Sequence, residues 1–437
     1  MRILQKYKNK KIAVYGMGVT GQSAAKILNK LNANIYCWDD NKEIRQKSKK
    51  LNFNINKFWI KKNSIDNILI SPGIDINKCK IKNYLKKNLN KIITDIDLFF
   101  ELNKNAQIIS VTGTNGKSTT CKLIEKILKT ANLKVETLGN IGKPILFPKK
   151  PKKTNIFILE ISSYQLEYSK LFRSRHAAIL NISPDHLERH KSIKNYVNVK
   201  SKIFYAQNNE DYTYINLNNK YSKSFIKIFK KKKLNSKLIL IDRLKYKFIL
   251  KKINNNYFNS RGNQENLFFA YKIAKNLNIN NKTIIKAINK FKGLPHRQET
   301  IIFKKSLICI NDSKATSFDS SLQSLLNHNK IYWIVGGKPK LKDRFNLKSV
   351  KRRIVKAYII GKNTSFFKKQ LKNNIIYKVS KNIKKAIDDI YNDTKLYPKE
   401  KKTILLSPAA ASFDQFSNFE DRGIFFKKLI KKKFKNK

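Results

Sequence analysis

Short apolar runs alternate along this chain with longer stretches in which apolar residues recur at helical spacing. The first runs are Lys11-Ile12-Ala13-Val14-Tyr15, Asn34-Ile35-Tyr36-Cys37-Trp38 and Asn67-Ile68-Leu69-Ile70-Ser71. Strand and helix in alternation predict a parallel sheet with helices on its faces. The pattern restarts at Gln107-Ile108-Ile109-Ser110-Val111-Thr112, with further strands expected over 156–160 and 177–180. It restarts again near 307–310, followed by 331–335, 357–360 and 403–406. Each restart opens a new α/β unit, and boundaries in 91–95 and near Gln298 divide the chain into residues 1–94, 95–297 and 298–437. The length of 437 residues agrees, at about 150 per domain.

Composition first suggests a different partner. Lys and Arg number 94 against 29 Asp and Glu, a net charge of +65, which alone would point to nucleic acid or an anionic surface. The lysines are spread along the whole length, however, with only short clusters such as Lys230 to Lys233, and dispersed charge is a solvated surface. Glycine is the better guide. The chain holds only 14, where average usage of about 7% would give roughly 30, so glycine is expected mainly where backbone geometry demands it.

The first residues lack the apolar run and cleavage site of a secretion signal, and nowhere do about 18 apolar residues follow one another. No membrane span and a cytoplasmic location are expected. Cys37, Cys79, Cys121 and Cys309 are far apart, without paired spacing or a histidine cluster, and read as reduced, buried thiols rather than disulfides or zinc ligands.

The first glycine cluster, Gly16-Met17-Gly18-Val19-Thr20-Gly21, follows a strand and opens a helix, and Asp39 ends the next strand. This G-x-G-x-x-G turn with an acidic residue about 20 positions on lays a diphosphate on a helix N-terminus. Ser71-Pro72-Gly73 ends the third strand and would line the same crevice. The second cluster is Thr112-Gly113-Thr114-Asn115-Gly116-Lys117-Ser118-Thr119, again between strand and helix. Its backbone can wrap phosphate oxygens, Lys117 can reach the terminal phosphates, and Ser118 or Thr119 can bind Mg2+. It is a shorter variant of the general phosphate loop, since Val111 stands where the first glycine belongs. Glu160 is a carboxylate at a strand end, where a magnesium ligand would sit opposite the phosphate loop. His186 follows another strand in Asn181-Ile182-Ser183-Pro184-Asp185-His186, and a helix expected over 196–204 carries Lys200. In the last third, Asn311-Asp312-Ser313-Lys314-Ala315-Thr316, Gly336-Gly337-Lys338-Pro339-Lys340 and Ser407-Pro408-Ala409-Ala410-Ala411-Ser412-Phe413 each close a strand, as one wall of a cleft would.

With these motifs in this order, from about residue 11 to 430, the chain resembles the ATP-dependent Mur ligases. The resemblance implies an N-terminal Rossmann-like domain, a central P-loop ATPase-type domain and a C-terminal Rossmann-like domain, binding a UDP-sugar, ATP and an amino acid. It assigns the first turn to UDP rather than NAD, with Val19, Thr20, Asp39, Asp40, Gly73, Asn140 and Ser162 on the UDP-sugar. ATP falls to Gly113, Thr114, Asn115, Gly116, Lys117, Ser118 and Thr119, with Asn266, Arg297 and Asp312. Ser118, Glu160, His186 and Lys200 become the site of two Mg2+ ions, Lys200 as a carbamate, and Lys117, His186 and Lys200 the catalytic set. The outer motifs favour D-glutamate as the incoming amino acid, held by Lys314, Thr316, Lys340, Ser412, Phe413 and Phe419.

The implied reaction activates the carboxylate of UDP-N-acetylmuramoyl-L-alanine as an acyl phosphate and passes it to the amine of D-glutamate, in peptidoglycan precursor synthesis. A monomer without specific nucleic-acid binding is expected. The alternative is another Mur ligase or a folylpolyglutamate-type ligase, since the ATP chemistry is shared. A nicotinamide oxidoreductase leaves Lys117 and His186 unexplained, and a nucleic-acid-binding ATPase should show a basic face interleaved with exposed aromatics or helicase-like acidic motifs after the phosphate loop, neither of which this sequence has. Two departures stand out: Gly262 occupies a position where the family has histidine, and Lys202 one where it has arginine.

Overall fold

The computed structural model describes residues 2–57, 60, 64–139, 143–146, 156–304, 306–340, 343–395 and 400–434. The chain folds as two compact units, Met1–Phe291 and Lys292–Lys437.

The first unit contains two parallel sheets. One joins β1 (Lys11–Tyr15), β2 (Asn34–Trp38), β3 (Asn67–Ile70) and β4 (Ile92–Ile93) in the order β2-β1-β3-β4. The other joins β5 (Gln107–Thr112), β6 (Val135–Gly139), β7 (Ile156–Glu160), β8 (His176–Ile179), β9 (Tyr212–Asn216) and β10 (Lys237–Ile241) in the order β10-β9-β8-β5-β7-β6. Four of the five residues of β1 and all of β7 are buried, because helices cover both faces; such strands read as continuous apolar runs rather than alternating ones. One apolar cluster includes Ile12 and Val14 of the first sheet and Ile108 and Phe157 of the second.

The sheets are tied together at α1 (Asp95–Leu102), which Thr94 and Asp97 close with a capping box. The Asp97 carboxylate also accepts from Ser169 Oγ at 2.7 Å and from the Leu171 and Phe172 amides at 2.9 and 3.0 Å. Buried Asp95, pushed up to about 6 by burial, accepts from Gln165 Nε2 at 2.8 Å.

The second unit is a single six-stranded sheet, β11 (Glu299–Phe303), β12 (Leu307–Asn311), β13 (Ile331–Gly336), β14 (Ile354–Ile360), β15 (Tyr377–Lys381) and β16 (Lys402–Leu406), in the order β11-β12-β16-β13-β14-β15. Separate apolar clusters centred on Trp333 and Phe367, and on Ile404 and Phe426, cover its two faces. The edge strand β11 runs antiparallel to β12, a strand the apolar-run pattern does not reveal because Glu299, Thr300 and Phe303 are exposed or half-exposed. The helix expected over 196–204 is Ile193–Ser201, continued by a 3-10 turn over Lys202–Phe204. Cys37, Cys121 and Cys309 are free and buried, but Cys79, expected buried, is half-buried because it lies in the turn region after β3 rather than in a strand.

At the first glycine turn, a Cβ on Gly21 would lie 1.9 Å from the Gly16 carbonyl oxygen, whereas one on Gly18 would meet nothing within 4 Å. Gly21→Ala is therefore expected to cost about 1–3 kcal/mol, the range for forcing atoms into packed space, read as a lower urea midpoint. Gly18→Ala should leave that midpoint in place.

Candidate active site

All three sheets present their candidate residues at the carboxyl ends of adjacent parallel strands, where open α/β sheets bind ligands. In the first sheet these are β2, β1 and β3. Asp39, just past β2, accepts from the Met17 amide at 2.7 Å and the Asn41 amide at 2.8 Å, so its carboxylate organises the turn itself. Asp40 Oδ2 accepts from Tyr15 Oη at 2.7 Å and the Lys80 amide at 3.0 Å, while its buried Oδ1 has no hydrogen-bond partner. Val19 is 71% exposed at the start of its helix, Thr20 beside it is half-buried, and Gly73, like Gly18, opens onto free space. An exposed apolar side chain, open backbone and an unmatched acceptor leave room there for a polar ligand.

In the second sheet the neighbours are β8, β5 and β7. The loop after β5 leads into α2 (Lys117–Thr130) through Gly116, which caps the helix at φ +86°, and a Cβ there would lie 2.2 Å from Asn266 Oδ1. Asn266, on α3 (Arg261–Asn276), also accepts from Thr120 Oγ1 at 3.2 Å, so it braces the loop from behind. Gly262 lies in the first turn of that helix, which Ser260 caps by accepting from the Asn263 amide. On the other side Asn181 clasps the loop, accepting from the Asn115 amide at 2.8 Å and donating to its carbonyl at 3.0 Å, and the Asn181 carbonyl accepts from the Thr114 amide. Lys117 Nζ donates to the Gly113 and Thr114 carbonyls at 2.9 and 2.8 Å. Ser118 and Thr119 are buried in the first turn of the helix.

Glu160 ends β7, buried, beside Val111 of β5 and Gly139 of β6. His186 follows β8 at φ +54°, with Nδ1 2.9 Å from Tyr164 Oη and Nε2 3.4 Å from Asp185 Oδ2. Lys200 lies fully buried beneath the loop, donating to Thr112 Oγ1 at 3.1 Å and the Gly113 carbonyl at 3.0 Å. Burial, and secondly the nearby Lys117 charge, hold its amine well below the usual lysine range, against the pull of Asp185 and Glu160. Three residues beyond His186, Arg189 donates to Glu167 Oε2 at 2.7 Å and to the Ile74 carbonyl at 2.5 Å, tying this loop to the turn that carries Gly73. Ser162 caps the short helix Ser163–Glu167 together with Gln165. Asn140 lies outside the described residues.

Among the described residues, no three His, Cys, Asp or Glu side chains stand close enough to hold a metal by themselves. Hydroxyl, carboxylate and imidazole groups beside a phosphate loop fit Mg2+ all the same, because that ion binds through one or two carboxylates plus phosphate oxygens and water.

In the second unit the neighbours are β12, β16 and β13. Reciprocal backbone bonds between Lys338 and Ala411, 2.8 and 3.0 Å, join the loop bearing Lys340 to the loop bearing Ser412 and Phe413. Lys314 Nζ lies 4.9 Å from the Phe419 ring centroid, and Thr316 beside it is half-buried. Ser412 is buried whereas Phe413 is 70% exposed. Asp312 is buried and engaged within the unit, accepting from Ser324 Oγ at 2.5 Å, Ser407 Oγ at 2.9 Å and the Gln298 amide at 3.2 Å, and burial pushes it up to about 6. Arg297 pairs through its backbone with Leu294.

Motif reading passes over Arg422. Its buried guanidinium donates to the Ser313 hydroxyl and carbonyl and to the Ala410 carbonyl at 2.8 to 3.0 Å, which fixes two of the three loops to one another. It passes over Tyr164 as well, which a short helix brings to His186.

Comparison with known proteins identifies the family. Residues 111–286 match the Mur ligase middle domain. The UDP-N-acetylmuramoylalanine–D-glutamate ligase of Rickettsia felis is 37% identical over 98% of each chain. That of Rickettsia prowazekii is 36% identical over 98% of this chain and 99% of its own. A crystal structure of MurF from Acinetobacter baumannii superposes with a TM-score of 0.61 at 12% identity, covering 98% of each chain, so the likeness there is one of fold. With more than a third of the residues identical from end to end, the chain belongs to the Mur ligase family, among its UDP-N-acetylmuramoylalanine–D-glutamate ligases.

Proposed function

We propose that this chain is an ATP-dependent ligase that joins D-glutamate to UDP-N-acetylmuramoyl-L-alanine, a step in peptidoglycan precursor synthesis. One observation carries the reading. The 113–119 loop, Glu160 and His186 converge at the ends of three adjacent strands above a buried Lys200, in a chain that matches D-glutamate ligases along its length.

Residues 1–94 serve the UDP-sugar, through Val19, Thr20, Asp39, Asp40 and Gly73, with Asn140 and Ser162 contributed by residues 95–297. The central part serves ATP through Gly113, Thr114, Asn115, Gly116, Lys117, Ser118 and Thr119, with Asn266, Arg297 and Asp312. Residues 298–437 serve D-glutamate through Lys314, Thr316, Lys340, Ser412, Phe413 and Phe419, where cationic and hydroxyl groups suit a dicarboxylate. Ser118, Glu160, His186 and a carbamylated Lys200 would hold two Mg2+ ions, whose chemistry is to neutralise charge on the phosphates. The carbamate forms when the neutral Lys200 amine adds to CO2 and releases a proton; burial, and secondly Lys117, shift the amine toward that neutral form. A cytoplasmic monomer is proposed. The free cysteines agree with a reducing compartment, and no helix among the described residues is long and apolar enough to cross a membrane.

In the first step a carboxylate oxygen of the L-alanyl group attacks the γ-phosphorus of ATP, the bond to the bridging oxygen breaks, and ADP leaves. Lys117 exchanges the Gly113 and Thr114 carbonyls for phosphate oxygens and steadies the charge as it moves. In the second step the D-glutamate amine attacks the acyl carbon, phosphate leaves with the former carboxylate oxygen, and the nitrogen loses a proton. Holding amine and acyl phosphate together supplies much of the rate.

Oxygen labelling tests this sequence. With 18O in the L-alanyl carboxylate, the phosphate released is expected to carry one labelled oxygen, seen by mass spectrometry or 31P NMR. Unlabelled phosphate would rule out the acyl phosphate.

A further inference from the structure

In the function proposed above, one long substrate is held at two places, its UDP end in the crevice of the first sheet and its L-alanyl end at the strand ends of the second. One side chain spans the gap between them. Arg189, with its side chain 7% exposed, donates from Nη2 to the Ile74 carbonyl at 2.5 Å and from Nε to Glu167 Oε2 at 2.7 Å. Its guanidinium lies 5.3 and 5.9 Å from the ring centroids of Tyr164 and Tyr168. On one side the contact leads to the first glycine turn. The Ile74 amide donates to the Ser71 carbonyl at 3.0 Å, Ser71 Oγ donates to the Gly16 carbonyl at 2.6 Å, and a Cβ at Gly16 would lie 2.9 Å from Ile74 Cγ1. On the other side it leads to the second sheet. Glu167 ends the short helix that Ser162 caps, and the Arg189 amide donates to the His186 carbonyl at 3.1 Å. Lys202, one of the two departures from the family pattern, holds the same helix end. It follows the helix of Lys200 and donates to the Glu167 carbonyl at 2.5 Å.

We propose that Arg189 is a positioning residue that sets the span between the UDP crevice and the centre where the L-alanyl carboxylate is activated, so that the nucleotide end of the substrate contributes to rate as well as to affinity. The proposal rests on the reading of the crevice as the UDP site.

The physics is that of linked sites. A ligand held at both ends gains from its second contact only when the two sites stand at the distance its own length dictates, and that gain fades as the distance loosens. The carboxylate must also lie in attacking position, where a misplacement of about 1 Å can cost about 10²-fold in rate. Arginine suits such a joint. Its planar fork carries donors in fixed directions, so one side chain holds a carbonyl after β3 and a carboxylate of the central part at a set separation; the single ammonium of lysine does not. The ties through Asp95 and Asp97 hold the helix after β4, whereas Arg189 holds the turn that carries Gly73. Loss of the fork leaves the Ile74 carbonyl to water and lets the span vary.

The test uses the full-length protein and two ligands of different reach, UDP and UDP-N-acetylmuramoyl-L-alanine, titrated by calorimetry with a non-hydrolysable ATP analogue present. In the wild type the longer ligand is expected to bind more tightly than UDP. Arg189→Lys keeps a cation beside Glu167 and gives up the fork. In that variant the Kd of UDP should stay at its wild-type value, which shows the crevice intact, while the advantage of the longer ligand shrinks about tenfold and kcat falls about 10²-fold. A merely structural role would weaken both ligands together. Equal losses for the two ligands, an undiminished advantage of the longer one, or kcat within a few-fold of wild type would overturn the proposal. A wild type that does not bind UDP would instead remove the reading of the crevice beneath it, and that result is read before any variant is compared.

Discussion

Lys200→Ala is expected to lower kcat by about 10²–10³-fold, the usual cost of removing one preorganised charge-stabilising group, and added formate or acetate should restore part of the loss. The expectation follows from where the amine sits. Lys200 is buried, its Nζ meets a hydroxyl and a carbonyl at 3.1 and 3.0 Å, and the ring of Tyr196 lies 4.8 Å away. An ammonium without a carboxylate partner is unfavourable in such a place, and the second cation of Lys117 adds to the penalty. Conversion to a carbamate would reverse the sign of the group and supply two oxygens within electrostatic reach of Lys117, Asp185 and Glu160. Truncation leaves a space in which a small carboxylate can stand for those oxygens. Thermal unfolding of the variant separates loss of chemistry from loss of fold. Activity within a few-fold of wild type, or no response to any short carboxylate, would contradict the carbamate role.

Lys117→Met should also reduce kcat by about 10²–10³-fold while leaving the unfolding midpoint nearly unchanged. The side chain donates to the carbonyls of its own loop, and the loop has further supports: Asn181 clasps Asn115, and Asn266 packs against Gly116. Methionine keeps the apolar stem and removes the charge that would follow the phosphoryl group. The loss should appear in kcat and in ATP affinity, with KM for D-glutamate little changed, because Lys117 is not among the residues proposed for that substrate. Steady-state kinetics with each substrate varied in turn measures the split. Retained turnover would show that the loop does not handle the transferred phosphate.

Strands buried on both faces were the most legible part of the fold, since β1, β5 and β7 are short apolar runs with their bounds visible in the residues. The antiparallel edge β11 was not, because a half-exposed strand of five residues carries little periodic signal. Loops closing adjacent strands could be listed from sequence, and the structure adds how they are bound together. Lys338 with Ala411, Arg422 with Ser313 and Ala410, and Arg189 with Ile74 are pairings between segments distant in sequence. No local pattern announces them. Tyr164 escaped notice for the same reason. Two positions past Ser162 it reads as a helix residue packing inward, and its hydroxyl gains meaning only when the segment after β8 folds back to set His186 beside it. Asp312 was visible as part of a strand-terminal motif, but its partners Ser324, Ser407 and the Gln298 amide were not. The strong positive charge is a property of composition and identifies no partner.

The central claim is that the acceptor of the activated acyl group is D-glutamate. Phosphate release with ATP, Mg2+ and UDP-N-acetylmuramoyl-L-alanine, measured with D-glutamate, L-glutamate, meso-diaminopimelate or L-lysine offered in turn, tests it most directly. Stimulation by D-glutamate alone, with one amide product formed per phosphate, is the predicted result. Release that ignores D-glutamate, or that responds to one of the other amino acids in its place, would contradict the assignment.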